Sequence, residues 1–280
     1  MRGLSAYGGS SLPFCQPKVE LIIFKSASTS YMFANSEHLY SIANTSQSMR
    51  RVHSVFEPKA TRVLRALLLN PQRSWTIRGL AEEVEISPGY AHAVISTLID
   101  LGHVARTEQY KIKTANPTVL LKRWAAYYQY DRMNTFLDYY TFEREVDHFI
   151  EQLSRVSSQN YALTALTGAY LIAPHVRPID IHMYIKEKID ATKLAKSLNL
   201  QPIPKGGNVK FVVPYDQGVF YGQQTVDIRT PNKETRSVNV VSDVQLFVDL
   251  YNYPARGLEA AEHLYERIIE RWGKALLGEQ

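Results

Sequence analysis

The chain has 280 residues, is 45% hydrophobic and 21% charged, and carries a formal net charge of +5. That is the make-up of a soluble globular protein with room for two domains, and its dispersed excess of positive charge leans weakly toward polyanionic partners. The single cysteine, Cys15, excludes an internal disulfide and fits a reducing compartment, and no run of 18 apolar residues could span a bilayer. The apolar stretch LIIF at 21–24 is too short and too closely flanked by charge for a signal peptide. The expectation is a cytoplasmic protein without a membrane partner.

In chain order, residues 1–17 are rich in Gly and Ser and read as disordered. Lys18–Lys25, Ser30–Ala34 and Leu39–Ile42 read as short strands separated by Asn- and Ser-containing turns. Residues 1–50 therefore form a short β-containing segment. The next domain is expected at 51–116. A helix from Pro58 to Asn70 carries Val63, Leu64, Leu67 and Leu68 on one apolar stripe, and Asn70-Pro71 ends it. Ser74-Trp75-Thr76 reads as a short strand. Thr76 can cap a second helix, Ile77–Glu83, which turns inward Ile77, Leu80, Ala81 and, just beyond it, Val84. A turn at Glu85-Ile86 leads to Ser87-Pro88, a cap residue followed by proline at the first helical position.

The third helix buries Ala91, Val94, Ile95, Leu98 and Leu101 and closes at Gly102. A hairpin then pairs His103–Arg106 with Tyr110–Lys113 across Thr107-Glu108-Gln109. Helix, short strand, two helices about a tight turn and a hairpin are the order of a winged helix-turn-helix. On that reading Ser87, Tyr90, His92 and Ala93, with Ser96 and Thr97, face a major groove of double-stranded DNA. The third helix has no Lys or Arg between Ser87 and Leu101. Base reading then falls to Ser87, Tyr90 and His92, and phosphate contact to Arg73, Arg78, Arg106, Lys111 and Lys113. Affinity per site should be modest, which favours a homodimer or several operator copies. A winged helix that docks another protein, with no nucleic-acid role, is the alternative.

Residues 117–280 mix strands and helices, so the fold class is α+β: a winged helix-turn-helix followed by a mixed α/β domain. Its expected elements are a helix at Pro117–Tyr127, a strand at Phe136–Phe142 and an amphipathic helix at Glu143–Val156. Next come a strand at Tyr161–Leu163, a helix at Leu166–Ala173, an alternating strand at Ile179–Ile185 and a helix at Asp190–Leu198. Strands follow at Gln201–Pro204, Asn208–Pro214, Gly218–Gln223 and Ser237–Val241, with Gly206-Gly207 as a hairpin turn. Ser242 caps a helix at Val244–Leu250, and Leu258–Leu277 is a long terminal helix.

One pattern tests for chemistry. Thr167-Gly168 at a helix start, followed by Asp180-Ile181-His182 on a strand, resembles polymerase-β-type nucleotidyltransferases. Those enzymes place two carboxylates two positions apart on such a strand, where alternate side chains point the same way and hold Mg²⁺. Here the second carboxylate is His182, and imidazole is a poor ligand for a hard cation. A degenerate nucleotidyltransferase-like fold is the expectation, and an active enzyme of that fold the alternative. His175, His182 and His263 lack metal-ligand spacing, and Arg177 reads as a salt-bridge residue. No catalytic residue, metal or cofactor is assigned.

Three segments resemble a known family: residues 56–104 (FEPKATRVLRALLLNPQRSWTIRGLAEEVEISPGYAHAVISTLIDLGHV), 161–178 (YALTALTGAYLIAPHVRP) and 240–266 (VVSDVQLFVDLYNYPARGLEAAEHLYE). They are similar to antitoxins of type IV toxin–antitoxin systems, the abortive-infection (AbiE-type) predicted transcriptional regulators. The resemblance implies a DNA-binding domain that represses its own operon. It also implies a C-terminal domain that counteracts a nucleotidyltransferase-like toxin.

Overall fold

The structure is a computed structural model that describes residue 52 and residues 54–156, 160–230 and 232–277. The strands expected before residue 50 lie outside the described residues.

Helix α1 spans Ala60–Leu69, α2 Ile77–Glu83 and α3 Pro88–Asp100. The Thr76 side chain accepts from the Gly79 amide at the start of α2, and Ser87 accepts from the Tyr90 amide at the start of α3. Each cap satisfies one of the orphan amides of a first helical turn. Glu85, at φ 55°, supplies the left-handed residue in the turn between them. Strands β1 (Val104–Arg106) and β2 (Ile112–Thr114) form an antiparallel hairpin, and Trp75 bridges Ile112 at its side. Leu101 is 49% exposed rather than part of the α3 core, because the chain turns at Gly102 (φ 72°) immediately after it.

Helix α1 departs most from its sequence pattern. A single apolar stripe is expected, yet eight of its ten residues are buried, Thr61 and Arg65 among them. Its apolar side packs on α2 and α3. Its other side meets α4 (Pro117–Tyr127) and α9 (Asp243–Tyr251). Helix α9 is buried from Asp243 through Leu250 and is covered further by α10 (Gly257–Leu277).

Seven strands make one mixed sheet in the order β6-β3-β7-β5-β4-β9-β8. They are β3 (Thr135–Tyr140), β4 (Tyr161–Leu163), β5 (Ile181–Ile185), β6 (Gln201–Pro202), β7 (Val209–Val213), β8 (Gln224–Arg229) and β9 (Thr235–Val240). The short α5 (Tyr130–Met133) precedes β3, α6 (Val146–Ser154) packs on β9, and α7 (Ala165–Ile172) and α8 (Lys188–Ser197) pack on β5. All five residues of β5 are buried, so its alternating sequence does not give alternating exposure. A central strand covered by helices has no solvent face. Ile179 and Asp180, expected within this strand, lie ahead of it, and Ile179 is 89% exposed.

Two expectations between β6 and β8 fail. Gly218–Gln223 is not a strand: Gln217–Phe220 is a 3₁₀ turn, started by the Asp216 side chain accepting from the Gly218 amide at 2.7 Å. The strand is the next segment, β8, which pairs with β9 over six registered residues. Gly206-Gly207 does not join two neighbouring strands either. Strands β6 and β7 lie on opposite sides of β3 and both pair with it. Gly207 is there because a Cβ would sit 2.1 Å from the Tyr139 carbonyl oxygen. Gly207→Ala should therefore destabilise the fold by about 3 kcal/mol or more, as overpacking against fixed backbone does. Urea unfolding measures it, and a loss within the small range of surface substitutions would contradict the close approach.

Candidate nucleic-acid interface

The N-terminal end of α3 is open. Ser87, Pro88 and Gly89 are exposed, and Tyr90, His92, Ser96 and Thr97 are half-buried. Burial, then the charges of Glu57 and Asp216, raise the Tyr90 phenol above its ordinary pKa, so it stays a neutral hydrogen-bonding group at pH 7. His92 Nδ1 lies 3.5 Å from Ser96 Oγ one turn on. Ala93 is a correction: it is 8% exposed and belongs to the inner side of the helix. Its carbonyl accepts from Thr97 Oγ1 at 3.0 Å. Ala93 follows His92 by one residue, and a 100° step carries it from the rim into the packed side.

The cations divide into two kinds. Arg78 and Arg106 are exposed, Lys111 and Lys113 half-buried, and none of the four forms an ion pair among the described residues. Arg106 and Lys113 are held at the hairpin by the register Arg106↔Ile112 and Ala105↔Lys113. Arg73 is engaged: its guanidinium stands 3.6 Å from the Trp75 ring centroid and 3.9 Å from a Glu83 carboxylate oxygen. Tyr110, absent from the sequence reading of the site, sits at the hairpin tip at φ 55° and is 91% exposed. An aromatic beside the Thr107-Glu108-Gln109 turn was the available signal.

Behind this face lies a polar centre that the sequence did not announce. Arg65, on α1, is fully buried. Its Nε donates to Gln245 Oε1 at 2.9 Å, Nη1 to Thr61 Oγ1 at 2.8 Å and Nη2 to the Tyr215 hydroxyl at 2.8 Å. The guanidinium also lies over the Trp124 ring, 5.0 Å from its centroid. Gln245 passes the connection on by donating to Asp249, which also accepts from Thr164 and Tyr184. Burial pushes the Asp249 carboxyl up to about 7, against those three hydrogen bonds and the Arg65 charge, which pull it down. At the rim, Arg62 makes two hydrogen bonds to the Asp216 carboxylate, and the Tyr221 hydroxyl donates to Glu83.

The Asp180–His182 pattern resolves into packing. The Thr167 hydroxyl donates to the Asp180 carbonyl and accepts from the His182 amide, tying α7 to β5. His182 is 6% exposed, with Nδ1 3.1 Å from the Tyr130 hydroxyl and Nε2 3.2 Å from that of Tyr253. Both ring nitrogens are thus taken, and neither lone pair faces open space. Gly168 allows close packing, since a Cβ there would meet Leu246 Cδ2 at 2.6 Å and the Leu163 carbonyl oxygen at 3.0 Å. Among the described residues no three His, Cys, Asp or Glu side chains converge as a metal site. Arg177 is paired with Glu145 at 2.6 Å, and the rings of His175 and His263 stack.

A family model described as "Transcriptional regulator, AbiEi antitoxin, Type IV TA system" matches residues 113–270. No match was found among curated proteins or among solved structures. No helix of the described residues is long and apolar enough to cross a membrane.

The sealed imidazole has a measurable consequence. Burial, helped by the Lys210 charge and opposed by Asp138, lowers the His182 pKa to about 3. An unfolded chain takes up that proton below its ordinary pKa of about 6.5, whereas the folded chain does not until about 3. Stability from this group is therefore present above pH ~6.5 and is lost as pH falls through that window. Melting temperatures of the wild type and His182→Gln should converge as the solution is acidified, and parallel pH profiles would refute the assignment.

Proposed function

The chain belongs to the family of AbiEi antitoxins of type IV toxin–antitoxin systems, a family of transcriptional regulators, and from that premise we propose that residues 51–116 form a winged helix-turn-helix that binds double-stranded DNA. The protein then represses its own operon, and residues 117–280 counteract a nucleotidyltransferase-like toxin and support a homodimer. The α/β half is read as a degenerate nucleotidyltransferase-like fold, in which the glycine and the strand remain while the second metal ligand is replaced by a buried histidine.

The observation that carries the reading is the open end of α3, Ser87–Gly89, beside a hairpin whose Arg106, Lys111 and Lys113 have no carboxylate partner among the described residues. Leaving cations unpaired on a folded surface suits a partner that supplies the negative charge. Ser87, Tyr90 and His92 read base edges. Arg78, Arg106, Lys111 and Lys113 contact phosphates, with Arg73 held back by Trp75 and Glu83. A helix entering the groove without an arginine gains affinity from backbone contacts, and those depend on salt.

Fluorescence anisotropy with the protein's own upstream region, between about 50 and about 200 mM salt, tests this. The affinity should fall steeply with salt. Replacing Arg106, Lys111 and Lys113 by Ala should reduce the log–log slope by about 3, at roughly 0.9 for each phosphate no longer neutralised. Tyr90→Phe with His92→Ala should instead narrow the preference for that region over unrelated DNA and leave the slope in place. A slope near zero for the wild type would overturn the DNA reading and favour a protein-docking winged helix. For the antitoxin half, co-expression should relieve growth arrest by a nucleotidyltransferase-like toxin encoded beside it.

A further inference from the structure

A second basic surface lies on the α/β half. Lys186, Lys188, Lys193 and Lys196 are all exposed, and none has an ion-pair partner among the described residues. At 100° per residue, Lys188, Lys193 and Lys196 fall within an arc of about 140° on the outer side of α8, opposite the buried Ala191, Leu194 and Leu198.

The two acidic residues of this element do not neutralise that surface. Glu187 and Asp190 form a reciprocal capping box, each side chain accepting from the other's backbone amide. Asp190 is 5% exposed, and its second oxygen accepts from Asn160. Both carboxylates are turned to the helix end, and the outer arc is left with lysine, Thr192, Ile189 and Ser197.

The surface also has a place relative to α3. The Gln217 side chain donates to the Lys186 carbonyl at 2.8 Å, and the same Gln217 lines a groove with Glu83, Val84 and Glu85, the turn that leads into α3. Asp216, one residue earlier, acts electrostatically on Tyr90 in the first turn of α3. The Lys186 backbone is therefore hydrogen-bonded to a residue that shares a groove with the turn leading into α3.

We propose that Lys186 and the outer face of α8 form a second phosphate-backbone contact for the duplex that α3 enters, extending the footprint beyond the winged helix. The proposal rests on the DNA reading of α3. It also supplies charge that α3, without Lys or Arg, lacks.

The test uses the full chain and its fourfold variant Lys186→Gln, Lys188→Gln, Lys193→Gln, Lys196→Gln, with equal melting temperatures as the folding control. Each is titrated at several salt concentrations against two duplexes from its own upstream region. One is just long enough for the α3 and hairpin contacts, and the other is extended on both sides. On the extended duplex the variant should bind about tenfold more weakly, with a log–log slope shallower by about 2. On the short duplex the two proteins should agree. Equal slopes on both duplexes would overturn the second contact and leave the α3 reading standing. An equal loss on both would mark a general effect of net charge and would also overturn it. If the wild type binds neither duplex in a salt-dependent way, both readings fall. If structured RNA alone separates the wild type from the variant, the surface belongs to a different nucleic acid and this proposal is wrong.

Discussion

The Arg65 guanidinium pins α1 to α9 and to the segment that carries Tyr215. A cation taken out of water costs several kcal/mol unless hydrogen bonds and a nearby countercharge compensate it. Here Nε, Nη1 and Nη2 each have an acceptor, the Trp124 and Tyr215 ring centroids lie 5.0 and 5.7 Å from the guanidinium carbon, and Gln245 bridges to the buried Asp249. The arrangement tolerates little relative movement of α1 and α9, because any slip would strand a buried charge in a low-dielectric interior. Loss of one partner from such a set generally costs about 3–5 kcal/mol.

The backbone supports the same junction. The last carbonyls of a helix have no partner within it. At the end of α1 the Leu67 carbonyl accepts from Thr114 of the hairpin, and the Leu68 carbonyl accepts from the Trp272 indole of α10. A strand of the hairpin and the terminal helix therefore meet on one helix end. With the Arg62–Asp216 and Tyr221–Glu83 contacts at the rim, the open end of α3 is presented from a rigid base. The buried polar set thus fixes the orientation of α3 from within.

The histidine on β5 shows how a sequence spacing can resemble an enzyme pattern and serve packing. Thr167 and Gly168 lie in α7, whereas Asp180 falls just ahead of β5, its carbonyl accepting from the Thr167 hydroxyl. The side chain two residues on is closed between two tyrosine hydroxyls and held neutral by burial. Gly168 answers to Leu246 and the Leu163 carbonyl. The Tyr128–Tyr184–Asp249 hydrogen bonds continue the same polar interior and fill with phenols the space beneath the sheet.

Local signals determined much of this chain. Thr76, Ser87 and Ser242 each cap the helix they were expected to start, because a cap depends on a few neighbouring atoms. The helix from Pro117 to Tyr127 and the strand from Tyr161 to Leu163 follow from composition and punctuation in the same way. The cations of the hairpin, Arg106 exposed and Lys111 and Lys113 half-buried, were legible because charge on a short turn has few places to hide. What the tertiary structure alone decided was long-range. Arg65 lies off the apolar stripe of its helix, and only α9, 180 residues later, buries it. Gly207 reads as a turn until β3 passes 2.1 Å from where its Cβ would be. Ala93 reads as outer until the packing of α3 is known, and the 3₁₀ turn after Asp216 reads as a strand until Val219 is seen buried. Burial, partner and close approach are properties of pairs distant in the chain, and no window of sequence contains both members of such a pair.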